Sequence, residues 1–347
     1  MNDSLILLLI LSLILLLTLF IAISCKLPMA EDITFHLDVA YDYYTGSSVS
    51  QVLQKIRMPY PPLFHFLLMP TFLFKSLSWV MFLQIIFYPL AFLTTFHLVR
   101  LGLSSKHAMI TVLLLIASYG FFDRTVQVQP QAIDMILFPL AAYSFFKERK
   151  LMFTLLNAVM FFCHSFFGML LFGSFILFWI FKRRGLGMIL IAGLTMLPVL
   201  LMTYPVIIDK LNVATTIRES QNTAVREKPM FALMYLGAVT VFLPLLPTLW
   251  KDVRKNDFLL FAVCWLAALT PMLFTITDRY ITYAVVPLSI LASAYIINMK
   301  PTARGIFVSF VWIMAGVMLI YYFYMAMVGG YHIDAEHLAE ILAKIGS

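Results

Sequence analysis

Apolar residues in this chain gather into long unbroken runs instead of alternating with polar ones. Reading between the polar breaks gives runs at 4–24, 79–99, 107–122, 132–146, 151–163, 166–181, 186–204, 230–249, 258–275, 280–297 and 305–328. Several reach the ~20 residues that carry a helix across ~30 Å of hydrocarbon. A helix apolar on every face does not suit water, so the pattern predicts an all-α, polytopic bundle of about eleven membrane spans. A further stretch, 61–78, is ambiguous; its Pro61-Pro62 start suits the first turn of a helix, where missing N–H groups cost nothing. The first run resembles a signal peptide, but it is too long for an h-region and has no small-residue cleavage pattern, so we read it as a retained span.

Composition agrees, with 62% hydrophobic and 12% charged residues, against roughly 25% charged in an ordinary soluble domain. The net charge of +7 raises nucleic acid as a partner. The basic residues nevertheless sit in short clusters between apolar runs, as they do in cytoplasmic loops, so no nucleic-acid role is expected. Cys25, Cys163 and Cys264 are odd in number and scattered, with no disulfide or metal-site spacing.

The same loops fix sidedness. With the N-terminus inside and 61–78 not crossing, the cytoplasmic loops hold Arg100, Lys106, Lys147, Arg149, Lys150, Lys182, Arg183, Arg184, Lys251, Arg254, Lys255, Lys300 and Arg304. Their acidic companions are Asp3, Glu148, Asp252 and Asp257, which leaves the outer side 11 of the 24 basic and 13 of the 17 acidic residues. Letting 61–78 cross would put all thirteen of those basic residues outside, against the positive-inside rule. It is therefore expected at the outer leaflet. The organisation that follows is a single membrane domain: a core module 1–204 with a first outer loop 25–78, C-terminal helices 205–328 with an outer loop 205–229, and a tail 329–347. The N-terminus is cytoplasmic and the C-terminus extracytoplasmic. Leu338, Ile341, Leu342 and Ile345 make the tail an amphipathic helix, expected on the outer membrane surface or beneath the 205–229 loop.

Candidate chemistry lies on the outer face. Glu31, Asp32, Asp38 and Asp42 fall within twelve residues of the first loop, and His36 follows Asp32 by four, so on a helix the two share a face. These acids suit either a solvated loop or a base that removes a proton from a hydroxyl. Asp123-Arg124 with Gln127, Gln129, Gln131 and Asp134 reads as an anchoring pair between helix ends or as a phosphate grip, since the guanidinium fork matches phosphate oxygens. Asp278-Arg279-Tyr280, the break between two runs, carries the same pair of readings. His164, at the reversal Cys163-His164-Ser165, suits a hydrogen-bonded turn or a ligand. The mixed charges of 205–229 suit a solvated face, with contacts to anionic headgroups among membrane lipids. There is no glycine-rich phosphate loop, no His/Cys metal cluster, no G-x-S-x-G elbow and no nucleotide-cofactor signature. Charges at run centres are scarce, which weighs against a proton-coupled pump.

The order and sidedness of these motifs resemble the GT-C superfamily of polytopic glycosyltransferases, which includes lipid-phosphate-dependent mannosyl- and aminoarabinosyltransferases and oligosaccharyltransferases. Glu31-Asp32 with His36 looks like the family's first-loop catalytic motif. Tyr60-Pro61-Pro62-Leu63 is similar to its Pro-Pro-Leu juxtamembrane helix. Arg124 ahead of Pro130-Gln131 and Asp134, and Arg279-Tyr280, resemble its outer-face arginine motifs. The basic residue or His that members often place before Pro-Pro-Leu is Tyr60 here, with His65 as a replacement. The Trp-Trp-Asp-Tyr-Gly signature and large extracytoplasmic domain of oligosaccharyltransferases are absent.

The resemblance implies transfer of one sugar from a polyprenyl- or dolichyl-phosphate sugar to a glycan, lipid or protein acceptor, with inversion and without a metal or other cofactor. It implies Asp32 or Glu31 as base, with Arg279, Arg124, His36, Tyr60, His65, Asp134, His164 and Tyr280 around the substrate and its phosphate. The expected location is the cell membrane, or the endoplasmic reticulum membrane in a eukaryote. A lipid or solute transporter with an acidic outer vestibule is the alternative, and a non-catalytic scaffold subunit a third reading.

Overall fold

The first apolar run forms one helix, α1 (Asp3–Ser24), without the Pro or Gly that would kink it. Its Ile10, Ile14, Leu17 and Ile21 make a buried stripe while Leu8, Leu13, Leu16 and Ile23 stay exposed. An apolar helix with one face packed and the other bare is what a lipid solvent selects. Residues 3–24, 33–56, 61–204, 235–271, 277–327 and 335–346 are described by this computed structural model, 3–4, 24, 277–280, 326 and 335–338 as backbone.

After α1 come α2 (Ile33–Tyr44) and α3 (Val49–Ile56), then the stretch of uncertain sidedness. It breaks into α4 (Leu63–Leu68) and α5 (Pro70–Leu73), and Lys75 ends it in the left-handed region at φ 50°. Continuous from Leu63 to Leu73, the pair rises only about 16 Å at ~1.5 Å per residue, short of the ~30 Å of hydrocarbon. Trp79 donates from Nε1 to the Leu67 carbonyl at 2.7 Å, tying this segment to the start of α6 (Ser78–Gly102).

The chain continues through α7 (Ser105–Ile116), α8 (Tyr119–Val126), α9 (Pro130–Phe146), α10 (Lys150–Cys163), α11 (Ser165–Lys182) and α12 (Leu186–Tyr204). The run 107–122 is not straight, because α7 and α8 meet at 81°. Gly237 fits against that break: at φ +58° it leaves the Ala117 carbonyl where a side chain would stand. The stretch Gly237–Leu249, with Pro244 and Pro247, winds as a 3-10 helix, since proline supplies no N–H for an α ladder. Then follow α13 (Trp250–Lys255), α14 (Asp257–Leu269), α15 (Thr277–Asn298), α16 (Pro301–Met327) and α17 (Ala335–Gly346).

Among the described residues six helices, α1, α6, α11, α12, α15 and α16, are long and apolar enough to cross a bilayer, and the bent pair α7–α8 makes a seventh. The other predicted runs form shorter helices, of 17, 14 and 13 residues in α9, α10 and α14. Helix α15 is the axis of the bundle: 83% of its apolar window is buried, against 17% for α16. It packs on α7, α8, α14 and the 3-10 segment, while α9 lies between α6 and α10.

The loops carrying the predicted inside charges meet at one end. Arg184 bonds Glu148 at 2.8 Å, Lys182 bonds Asp257 at 2.7 Å, and Asn298 donates to Asp252 at 3.2 Å. Asp42–Lys55 and Asp38–Lys344, each at 2.7 Å, belong to the first loop and the tail. In a background without native cysteines, cysteine introduced at Ser48 or Thr223 is expected to react with an impermeant maleimide from outside, and cysteine at Arg183 or Lys255 only after permeabilisation. Outside labelling at Arg183 would invert the sidedness.

The tail packs on the helices of the first outer loop; the loop 205–229 lies outside the described residues. Helix α17 packs on α2 and α5, burying Ile341 and Ile345 while Leu342 stays exposed. Lys344 reaches Asp38 and lies over the Tyr41 ring.

Candidate functional site

Helix polarity brings the start of α9, the α10–α11 reversal, α8 and the start of α15 to one end of the bundle, where α4 also packs against α10. Three buried polar clusters occupy this end.

The first joins the juxtamembrane helices. His36 on α2 and His65 on α4 are both buried, with His36 Nδ1 and His65 Nε2 3.1 Å apart. Burial pushes His65 down to about 3, opposed by its hydrogen bond to the Pro61 carbonyl. His65 is thus neutral, and in the His36–His65 contact one ring nitrogen donates to the other. Phe64 packs edge-on against the His36 ring at 4.9 Å, and Tyr43 lies 6.0 Å from the His65 ring. Burial, then the Asp42 charge, pushes Tyr43 up to about 12.

The neutral state of His65 has a measurable cost in acid. The unfolded chain takes up this proton near 6.5 and the folded one only near 3. Stability is therefore fully present above pH 6.5 and lost as pH falls toward 3, by about tenfold in the folded-to-unfolded ratio per pH unit for a single group. Thermal unfolding of the purified protein across this window should show the loss, and His65→Gln should flatten it. An unchanged pH profile in that variant would exonerate His65.

The second cluster spans three helices. Asp134, one turn into α9, is fully buried. Its Oδ2 accepts from His164 Nδ1 at 2.6 Å and from Tyr283 Oη on α15 at 2.8 Å. Phe167 stacks on the Tyr283 ring at 4.9 Å and lies 4.4 Å from the His164 ring. Asp134 and His164, thirty residues apart in sequence, are thus partners of one another.

The third cluster sits on α8 after the bend. Asp123 Oδ1 accepts from Gln127 Nε2 at 2.8 Å, and Gln127 Oε1 accepts from Gln129 Nε2 at 2.9 Å. Asp123 Oδ2 lies 3.3 Å from Arg124 Nε and 3.5 Å from Tyr235 Oη. Phe122 stacks flat on Tyr322 at 3.7 Å, and the Tyr322 hydroxyl donates to the Ile116 carbonyl at 3.0 Å. This wedges α8 across the bundle.

Glu31, Asp32 and Tyr60 lie outside the described residues. Arg279 and Tyr280 stand in the first turn of α15, their side chains outside the described part. Among the described residues no three His, Cys, Asp or Glu side chains converge as a metal site would require. Sequence reasoning missed Tyr283 and Tyr235. The signal for Tyr283 was a hydroxyl in an apolar run, which needs a partner once buried.

No protein-family profile matches the chain, and no curated protein matches it in sequence. Among solved structures, the crystal structure of ArnT from Cupriavidus metallidurans bound to undecaprenyl phosphate superposes with a TM-score of 0.60 at 14% identity, over 98% of this chain and 74% of that one. The likeness is one of fold, and it runs from end to end. The chain therefore shares the fold of that structure, the GT-C-like helical architecture expected from the sequence.

Proposed function

We propose that this protein is a membrane glycosyltransferase that moves one sugar from a polyprenyl-phosphate donor to an acceptor hydroxyl on the extracytoplasmic face. The observation that carries the reading is the fold, shared over 98% of the chain with an enzyme whose structure holds undecaprenyl phosphate. Asp32 takes the acceptor proton, with Glu31 the less favoured candidate. The freed oxygen forms a bond to the anomeric carbon from the face opposite the leaving group. The carbon–oxygen bond to phosphate breaks, its electron pair stays on the phosphate, and the configuration inverts. Arg279 and Arg124 balance the charge that develops there, so the step needs no metal. Arg279 supports the reading by its position: a cation in a helix's first turn opposes the dipole by ~0.3–1 kcal/mol, whereas an anion bound there is favoured.

The test is direct. Purified protein in nanodiscs is given radiolabelled polyprenyl-phosphate sugars and a membrane extract as acceptor source, and released lipid phosphate and labelled product are measured. Release coupled to product supports the reading. Flipping of the donor across proteoliposomes without sugar transfer would replace it with the transporter.

A further inference from the structure

Arg279 carries the phosphate in the reading above, yet it sits in the first turn of a helix, where backbone order is weakest. The first four N–H groups of a helix lack partners within it. The peptide ladder places the N–H of residue 283 on the carbonyl of residue 279. Tyr283 also lies one turn below Arg279 on the same face of α15.

The Tyr283 side chain is held from two sides. Its hydroxyl donates to Asp134 Oδ2 at 2.8 Å, and its ring stacks on Phe167 with an interplanar angle of 18°. Asp134 is in turn fixed by His164 at 2.6 Å. Three elements, the start of α9, the α10–α11 reversal and α15, therefore meet at one carboxylate oxygen, and all three side chains are buried. A buried carboxyl oxygen shared by two such hydrogen bonds is a rigid point, because breaking either leaves a buried polar group less satisfied.

We infer that Tyr283 is a positioning residue for donor binding, the Asp134–His164–Tyr283 node fixing the turn of α15 that carries Arg279. This rests on the proposed role of Arg279 and assigns Asp134 and His164 to support of that turn in place of contact with phosphate.

The experiment is a double-mutant cycle on the full-length protein in nanodiscs, reading binding of undecaprenyl phosphate and the KM and kcat of transfer. Tyr283→Phe keeps the stack and loses the hydroxyl. It should weaken lipid-phosphate binding and raise the donor KM by about tenfold, the scale of one hydrogen bond to a charged group, with a smaller change in kcat. In the Arg279→Ala background the same change should have little further effect. His164→Asn, whose amide donates from the place of Nδ1, should lose less affinity than His164→Leu; this pair serves if Tyr283→Phe fails to fold. Full donor affinity in Tyr283→Phe, or additive losses in the double variant, overturns the inference. Arg279→Ala without effect on binding would instead overturn the reading on which it rests.

Discussion

Asp32→Asn is expected to lower transfer from a polyprenyl-phosphate sugar by a factor on the order of 10²–10⁴, the range general-base catalysis supplies. The substitution keeps the side chain's shape and removes its basicity, so donor binding should survive while kcat falls. Asp32 lies outside the described residues, but the helix that follows it is in place. Helix α2 begins at Ile33 and buries His36, four residues after Asp32, against His65. Glu31 would project about 100° away on a helical turn, so one of the pair should face the reactants. Steady-state assays of both amide variants separate the candidates. Normal turnover in Asp32→Asn with loss in Glu31→Gln would exchange their roles, and normal turnover in both would sink the mechanism.

What the sequence made legible follows from the range of the interactions involved. Apolar runs report the solvent around a helix, so α1, α6 and α16 could be read directly. Loop charge reports parity, and it kept 61–78 from crossing before Pro70 and Lys75 were seen to break it. Helix spacing finds neighbours three or four residues apart, so it paired His36 with Asp32. It could not find His65, twenty-nine residues away, which the structure places against the same ring. Asp134, His164 and Tyr283 were legible as single polar residues near helix ends. Their union at one oxygen depends on α9, α11 and α15 packing together. The tail's stripe was readable, but a stripe does not name the surface it covers, and α17 chose α2 and α5.

Between the two arginines, Arg279→Ala is expected to have the larger effect on function. Losing a charge-assisted contact should weaken lipid-phosphate binding about 10- to 100-fold. Losing support for the leaving group should slow transfer by a further ~10²–10³. Arg279→Lys should recover part of both, since an ammonium restores charge but not the two-pronged fork. Arg124 stands differently. Its Nε lies 3.3 Å from Asp123 Oδ2, and the side chain is only 15% exposed, so a share of its charge already answers a buried acid. Arg124→Ala would leave Asp123, bound to Gln127, with less compensation in a low-dielectric setting, which costs folding stability. Competition of transfer by undecaprenyl phosphate, run beside thermal unfolding, should show Arg279→Ala losing affinity at near-normal stability and Arg124→Ala losing stability first. The reverse pattern would move the phosphate from the start of α15 to α8.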